Sequence, residues 1–507
     1  MRKLTMVLMF IPFLLFYAFE TEAVEKEERR WQDESMYYIM VDRFMNGNTE
    51  NDYEVDKDNP EAYHGGDLQG VIDQLDYIEE MGFTSIMLSP IMKNTEEGYH
   101  GYWIDDFMQV EGHFGTIEDA QRLVEEAHNR DLKVIFEFVV SHTGNEHPWL
   151  EESGQEDKYF DSEAMEENDV ASVENTWLSN LPRLNTDHPE VQSQLTEAAQ
   201  FWKEETGVDG FRLSSINQVS KEFLSIFNES LKLLDDDFIL IGDVNVEDPD
   251  DIEAYESAGI DSFVNDPFYE AASGSFNHTD ASLDSLFKVW QSSLQNFENP
   301  ELLGHYLDDP STKRFTRVAV EEGGNPVTRW KLALTHMFTS PGYPILTYGS
   351  EVPLDGGEPP DNLKMMNFKG GDEELKQHIE KLNSMREEFP VLRRGTYEEL
   401  FNSDGLAVIK RVYKEETMVI AMNNSPRTQA VDLTELPDDQ QMRGLLEDGV
   451  VRQNGEGVYK LGMERETADV FVVEEDKGLN WLFIGFVGGV LLLFVTAVIV
   501  ISLKNKE

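Results

Sequence analysis

Eight short apolar runs, most of them followed by a stretch with helical periodicity, constrain this chain more than any other feature. They occupy residues 36–44, 84–90, 134–140, 208–213, 238–244, 262–264, 302–307 and 344–348. After the first, Val71, Leu75, Ile78 and Met81 share one helical face, and after the second, Ala120, Leu123, Val124 and Ala127 do the same. Continuous apolar runs read as strands buried on both faces, and strands of that kind pair in parallel when helices return the chain to the same edge. Eight such repeats predict an α/β architecture, a closed (β/α)8 TIM barrel.

One connection is too long for a strand-to-helix loop. Residues 143–189 carry the acidic run Glu151, Glu152, Glu156, Asp157 and Asp161 and are expected to form a small inserted domain within a barrel spanning 31–390. Past about 390 the texture changes to alternating strands such as Leu406-Ala407-Val408-Ile409 and Thr417-Met418-Val419-Ile420-Ala421, separated by Asn-Asn-Ser-Pro and Asn-Gly turns. This predicts an antiparallel β-sandwich over 391–475.

Charge narrows the ligands. Asp and Glu number 99 against 41 Lys and Arg, a formal charge of −58, which opposes binding to nucleic acid or anionic lipid and favours a neutral or cationic ligand. There are no cysteines, so disulfides, thiol nucleophiles and thiolate metal sites are excluded. At one end, Arg2 and Lys3 precede an uncharged run to residue 19, with Ala23 at a cleavage point, the pattern of a signal peptide over 1–23. At the other, 481–503 is uncharged and about 35 Å long as a helix, enough to span a bilayer. Lys504 and Lys506 follow it and Glu474, Glu475 and Asp476 precede it. The positive-inside rule then predicts a single-pass cell-membrane protein with its bulk extracellular and a 504–507 cytoplasmic tail.

Barrel chemistry sits on loops at the carboxyl ends of the strands, so the phrases at those junctions matter most. They include Tyr37-Tyr38-Ile39-Met40-Val41-Asp42-Arg43-Phe44, His64-Gly65-Gly66-Asp67-Leu68-Gln69-Gly70, Tyr99-His100-Gly101-Tyr102-Trp103 and His113-Phe114-Gly115-Thr116. Leu181-Pro182-Arg183-Leu184-Asn185, Val208-Asp209-Gly210-Phe211-Arg212-Leu213 and Pro341-Gly342-Tyr343-Pro344 follow. In this order and spacing the chain resembles the α-amylase family of glycoside hydrolases over roughly 31–475. The resemblance implies a barrel with an inserted domain B and a C-terminal sandwich, and an α-glucan or maltooligosaccharide ligand contacted by His100, Tyr102, Trp103, His142 and Arg212.

The departures fall on the chemistry. Retaining glycosidases use one carboxylate as nucleophile and a second carboxyl as acid/base. By the resemblance, the nucleophile position two residues after Arg212 is Ser214, the acid/base Glu is replaced by Asp243, and the Asn-His-Asp of the seventh strand becomes Asp309-Pro310-Ser311. On the third strand, Asp-x-x-x-Asn-His becomes Glu137-Phe138-Val139-Val140-Ser141-His142. Ser214 has no base beside it in Leu213-Ser214-Ser215. These changes imply an α-amylase-like surface protein that keeps the fold and binds α-glucan without hydrolysing it. Two alternatives stand beside it: an active α-glucan hydrolase with Asp243 as acid and Asp308 or Asp309 recruited, and an amylase-like ectodomain partnering a membrane protein.

Asn46, Asn48, Asn51, Asp52, the Gly65 carbonyl and Asp67 resemble the N-terminal calcium loop of some family members, and hard oxygens suit Ca²⁺. The competing reading is a loop held by Asx turns.

Overall fold

The computed structural model describes residues 28–150, 159–160, 181–244, 249–371 and 373–476, with scattered positions between 485 and 498. Eight parallel strands close into a barrel: β1 (Met36–Ile39), β2 (Ser85–Leu88), β3 (Lys133–Val139), β4 (Gly210–Ser214), β5 (Ile239–Gly242), β6 (Ser262–Val264), β7 (Leu303–His305) and β8 (Tyr343–Thr347). Closure is made by β1, which pairs with both β2 and β8. Every expected apolar run overlaps one of these strands. The side-chain alternation of a strand explains why the runs are apolar throughout. Met36, Tyr38, Met87, Ile135, Ile241 and Tyr343 fill the barrel interior, while Tyr37, Ile86, Phe136, Phe211 and Leu240 face the surrounding helices.

Two boundaries differ from expectation. The first run leaves the sheet at Ile39 and turns into a helix, Val41–Phe44, where the Asp42 carboxylate and the Arg43 guanidinium pair at 3.0 Å in full burial. Between β2 and the helix Ile117–His128 the chain makes an antiparallel ribbon, Met92–Asn94 with Ile104–Val110, that runs of apolar residues did not reveal. Its loop carries His100, Tyr102 and Trp103. Gly101 there has φ 90°, and a Cβ would lie 2.1 Å from the Pro90 carbonyl oxygen, so only glycine lets this loop close over the barrel.

After the barrel come β9 (Glu398–Ser403), β10 (Leu406–Tyr413), β11 (Glu416–Asn423), β12 (Gln429–Leu433), β13 (Gln440–Gly444), β14 (Val450–Arg452), β15 (Tyr459–Met463) and β16 (Thr467–Glu475). Six of them form one antiparallel sheet in the order β9-β10-β11-β16-β13-β14, faced by the pair β12-β15. Leu406, Val408, Val419 and Phe471 pack against Val431, Leu433 and Leu461 of the facing pair. The alternate residues, Ala407, Ile409, Met418, Ile420 and Val470, join the core of the barrel's helical layer. The central strands of the sheet are therefore buried on both sides, one face against β12-β15 and the other against the barrel's helices.

Of the inserted segment 143–189, residues 151–158 and 161–180 lie outside the described residues. What is described is tied to the end of β3 by an antiparallel bridge between His142 and Arg183, and held together within itself by a bridge between Phe160 and Leu184 and by Trp149 stacked on Tyr159 at 4.8 Å. The expected signal peptide, 1–23, also lies outside the described residues, as does most of 481–503. The described positions of the latter are helical, with Leu492, Phe494, Val495 and Val498 exposed. Among the described residues no helix is long and apolar enough to cross a membrane, so the expected spanning helix gains no support from the fold.

Candidate active site at the carboxyl end of the barrel

The carboxyl ends of β3 to β7 bring one guanidinium and four carboxyl groups together. Arg212, on β4, places Nη2 2.5 Å from Asp243 Oδ2 and 3.3 Å from Asp309 Oδ2, and Nη1 3.8 Å from Glu137 Oε2. Burial opposes the charge on Arg212, but the carboxylates of Glu137, Asp243 and Asp309 more than offset it and hold the guanidinium firmly protonated. Asp243 and Asp309 meet on a single nitrogen.

Ser214 does have a base, supplied by the neighbouring strand rather than by its own sequence. Its hydroxyl donates to Glu137 Oε1 at 2.6 Å, while Tyr102 and Tyr38 donate to Glu137 Oε2 at 2.9 and 3.2 Å. In β3-β4 register, Val139 lies beside Ser214 and Glu137 beside Arg212, so the Glu side chain reaches along the barrel interior to the serine. Burial raises the Glu137 carboxyl above its usual range, against the pull of Arg212 and the Ser214 hydrogen bond. The family's acidic residue at this third-strand position is thus one methylene longer here, and the one on the fourth strand has become a hydroxyl that satisfies it.

Ser311 turns away from the guanidinium. It is exposed, and both its amide and its hydroxyl donate to Asp309 Oδ1, at 2.9 and 2.6 Å. Asp309, not Ser311, is what the seventh strand offers to Arg212. Asp308 is excluded from the mouth: it is buried, accepting from the Phe315 amide at 2.7 Å and the Ser350 hydroxyl at 2.8 Å and pairing with Arg314 at 3.3 Å.

Asp266 completes the group and was missed by sequence reasoning. It follows β6 by two residues and accepts the Tyr306 hydroxyl at 2.8 Å on Oδ1, with Tyr306 stacked on Tyr269 at 5.0 Å. Burial first, then the neighbouring charges of Asp243 and Asp309, push its carboxyl up to about 7, against the opposing Tyr306 hydrogen bond and Arg212. The available signal was its place just beyond a strand end, in Phe263-Val264-Asn265-Asp266.

The expected sugar contacts are partly gathered. His142 is buried between Ser141 Oγ at 2.8 Å and the Tyr102 carbonyl oxygen at 3.2 Å, and burial pushes it down to about 4. His100 accepts the Tyr102 amide on Nδ1 at 3.1 Å, and burial together with Arg43 lowers it well below the usual range. Both are therefore neutral near pH 7. Trp103 is half-exposed, meets His100 edge-on at 4.7 Å, and with Tyr99, His100, Pro359 and Pro360 lines a pocket of about 190 Å³.

The calcium-like loop divides into two parts. Asn46 Nδ2 donates to both oxygens of Asp52 at 2.8 and 2.9 Å, and a Cβ on Gly65 would meet each of those partners at 2.8 Å. Asn46 Oδ1 and Asn51 Oδ1 are buried with no hydrogen-bond partner. In contrast, Asp67 accepts the amides of Gly70 at 2.6 Å, Asn48 at 2.8 Å and Gly47 at 3.1 Å, capping the helix Leu68–Asp73, and Asn48 Oδ1 takes the Glu50 amide. The Asx-turn reading thus describes Asn48 and Asp67, while the amide oxygens of Asn46 and Asn51 are left without a partner. Among the described residues no group of three or more His, Asp or Glu is placed to hold a metal, which fits a loop containing only two carboxylates.

Comparison with known proteins places the fold. The family model for the α-amylase catalytic domain matches residues 38–391, and that for the α-amylase C-terminal domain matches 395–471. A β/α-amylase of Paenibacillus polymyxa is 32% identical over 421 residues, 79% of this chain but 34% of its own length, so this chain spans about a third of that relative. A cyclomaltodextrinase of a Bacillus species is 30% identical over 418 residues, covering 78% of this chain and 73% of its own. Among solved structures, an Anoxybacillus α-amylase is 49% identical with a TM-score of 0.85, covering 89% of this chain and 100% of its own. An α-amylase of Geobacillus thermoleovorans, complexed with acarbose, is 45% identical with a TM-score of 0.83 over the same shares. With the barrel and the C-terminal sheet both covered by these matches, the chain belongs to the α-amylase family of glycoside hydrolases.

Proposed function

We propose that this protein is a surface-anchored α-glucan-binding member of the family whose hydrolytic activity on starch and maltooligosaccharides is negligible. The observation that carries the reading is the Ser214–Glu137 hydrogen bond of 2.6 Å. At the position of the family nucleophile stands a hydroxyl already donating to a carboxylate, and that carboxylate is saturated by two tyrosines. A serine ether to a sugar would also be a poor leaving group in a second step. Binding requires less: an aromatic face at Trp103, neutral imidazoles at His100 and His142 and the donors of Arg212 suit a chain of neutral sugar hydroxyls. The relatives named for cyclomaltodextrin hydrolysis and the homologue complexed with acarbose support an α-glucan as the ligand.

A second reading, hydrolysis by displaced carboxylates, draws on Asp243 and Asp309 sharing one Arg212 nitrogen. Reducing-sugar release separates the two. Protein purified from a host without amylases should retain maltooligosaccharide without releasing reducing ends, and turnover at ordinary enzyme rates would replace the first reading by the second.

Anchoring is supported by the uncharged 481–503 stretch and its flanking charges. Calcium is supported by the two orphaned amide oxygens. Asn46, Asn51, Asp52 and the Gly65 carbonyl would hold it, and the ion would cross-link the loop after β1 to the segment leading into the helix Leu68–Asp73.

A further inference from the structure

We infer that Arg43 is the positioning residue of the Trp103 pocket: its buried guanidinium and its own backbone hold all three walls, so that the pocket stands formed before a sugar arrives. The inference rests on the proposed sugar contact at Trp103. The walls come from parts of the chain that are far apart in sequence. Tyr99, His100 and Trp103 belong to the ribbon loop after β2, Glu61 to the segment after β1, and Pro359 and Pro360 to the segment after β8.

Each wall meets Arg43. The guanidinium carbon lies 4.1 Å from the centre of the Tyr99 ring, a cation–π stack. Nη2 donates to the Pro60 carbonyl oxygen at 2.7 Å, which fixes the chain just before Glu61. The Arg43 carbonyl oxygen accepts the Met366 amide at 2.8 Å, and the Pro360 carbonyl oxygen accepts the Leu363 amide at 3.1 Å, so the third wall is tied to Arg43 through one short stretch of chain. Arg43 is itself held. It is fully buried, and Nη1 pairs at 3.0 Å with Asp42, whose carboxylate takes the amides of His64 and Gly65. The stack asks for a planar cation: lysine would keep the charge but present a compact ammonium that neither lies flat on the ring nor serves Asp42 and Pro60 as a fork. A wall held in place before binding spares the sugar the cost of ordering it. If loss of the stack leaves Tyr99 seated only about a tenth of the time, the apparent dissociation constant rises about tenfold.

The test is binding of maltoheptaose to the full chain, followed by calorimetry and by the indole N–H resonance of Trp103, assigned through its loss in Trp103→Phe. Arg43→Lys and Tyr99→Leu are each expected to weaken binding about tenfold, and the double variant about as much as the weaker-binding single, because both changes remove one stack. An Arg43→Lys protein that binds as wild type does, or losses that multiply to about a hundredfold in the double variant, overturns the inference while leaving glucan binding intact. Should Arg43→Lys not fold, the Nε–H resonance of Arg43 in the wild-type chain decides: it is expected to be shielded by the Tyr99 ring, to lose that shielding in Tyr99→Leu and to move as the pocket fills, and a resonance indifferent to both changes overturns the inference. If no sugar binds at any concentration, the proposed function fails. The Trp103 resonance of the sugar-free protein then settles the role of Arg43: a shift in Arg43→Lys that matches the one in Tyr99→Leu supports it, and a resonance unmoved by Arg43→Lys removes it.

Discussion

Putting back the family's nucleophile by Ser214→Asp should destabilise the protein rather than revive it. Ser214 Oγ lies 2.6 Å from Glu137 Oε1, and both residues are buried, at 4% and 1% exposure. A carboxylate in place of the hydroxyl would bring two negative oxygens to about 3 Å, worth on the order of 5 kcal/mol of repulsion at an effective dielectric near 20. Loss of the serine donor adds about 1–3 kcal/mol by leaving a buried carboxylate oxygen unpaired. Arg212 offsets part of this, but its nitrogens already serve Asp243 and Asp309. The cheaper outcome is a shared proton, with one carboxyl raised far above its usual value. A group whose folded value is raised contributes stability below its unfolded value, near 4, and loses it as pH climbs through the folded one. Urea unfolding should therefore show a deficit of several kcal/mol at pH 8 that shrinks towards pH 5, and Ser214→Asp with Glu137→Gln should recover most of it. A single variant as stable as wild type at pH 8, with no coupling to Glu137, would refute this account of the site.

Chelation should lower the melting temperature, and Asp52→Ala, which removes the carboxylate bound to Asn46, should abolish that response; a melt indifferent to chelator would leave the loop held by Asp67 and Asx turns alone. Acid should unfold the protein partly through its buried imidazoles. Burial pushes His142, His147, His305 and His378 down to about 4 and His336 to about 3, so stability present above the unfolded value near 6.5 is lost as pH falls towards 4. A midpoint unchanged between pH 6.5 and 4.5 contradicts this. Protease added to intact cells should remove the folded body and spare the 504–507 tail, whereas a protected body would dispose of the proposed topology.

The barrel was legible in the sequence because strand burial on both faces leaves a continuous apolar run, and each of the eight runs overlaps a strand. The C-terminal sheet was legible for a related reason: its alternating residues serve two cores, so strands and turns both carry strong local signals. The phrases expected at strand ends do lie there, with Arg212 on β4, His142 just beyond β3 and Asp243 just beyond β5. What the sequence could not determine is which side chains meet across strands. Glu137 and Ser214 are 77 residues apart, and only the register of β3 on β4 brings them within hydrogen-bond reach. Asp308 and Asp309 are adjacent in sequence, yet one is buried against Arg314 and the other turned to Arg212, a division made in the loop beyond β7 by contacts that are distant in sequence. Asp266 carries no motif at all. Its hydrogen bond with Tyr306, 40 residues further along the chain, exists only once the barrel has closed, and no one-dimensional pattern records it.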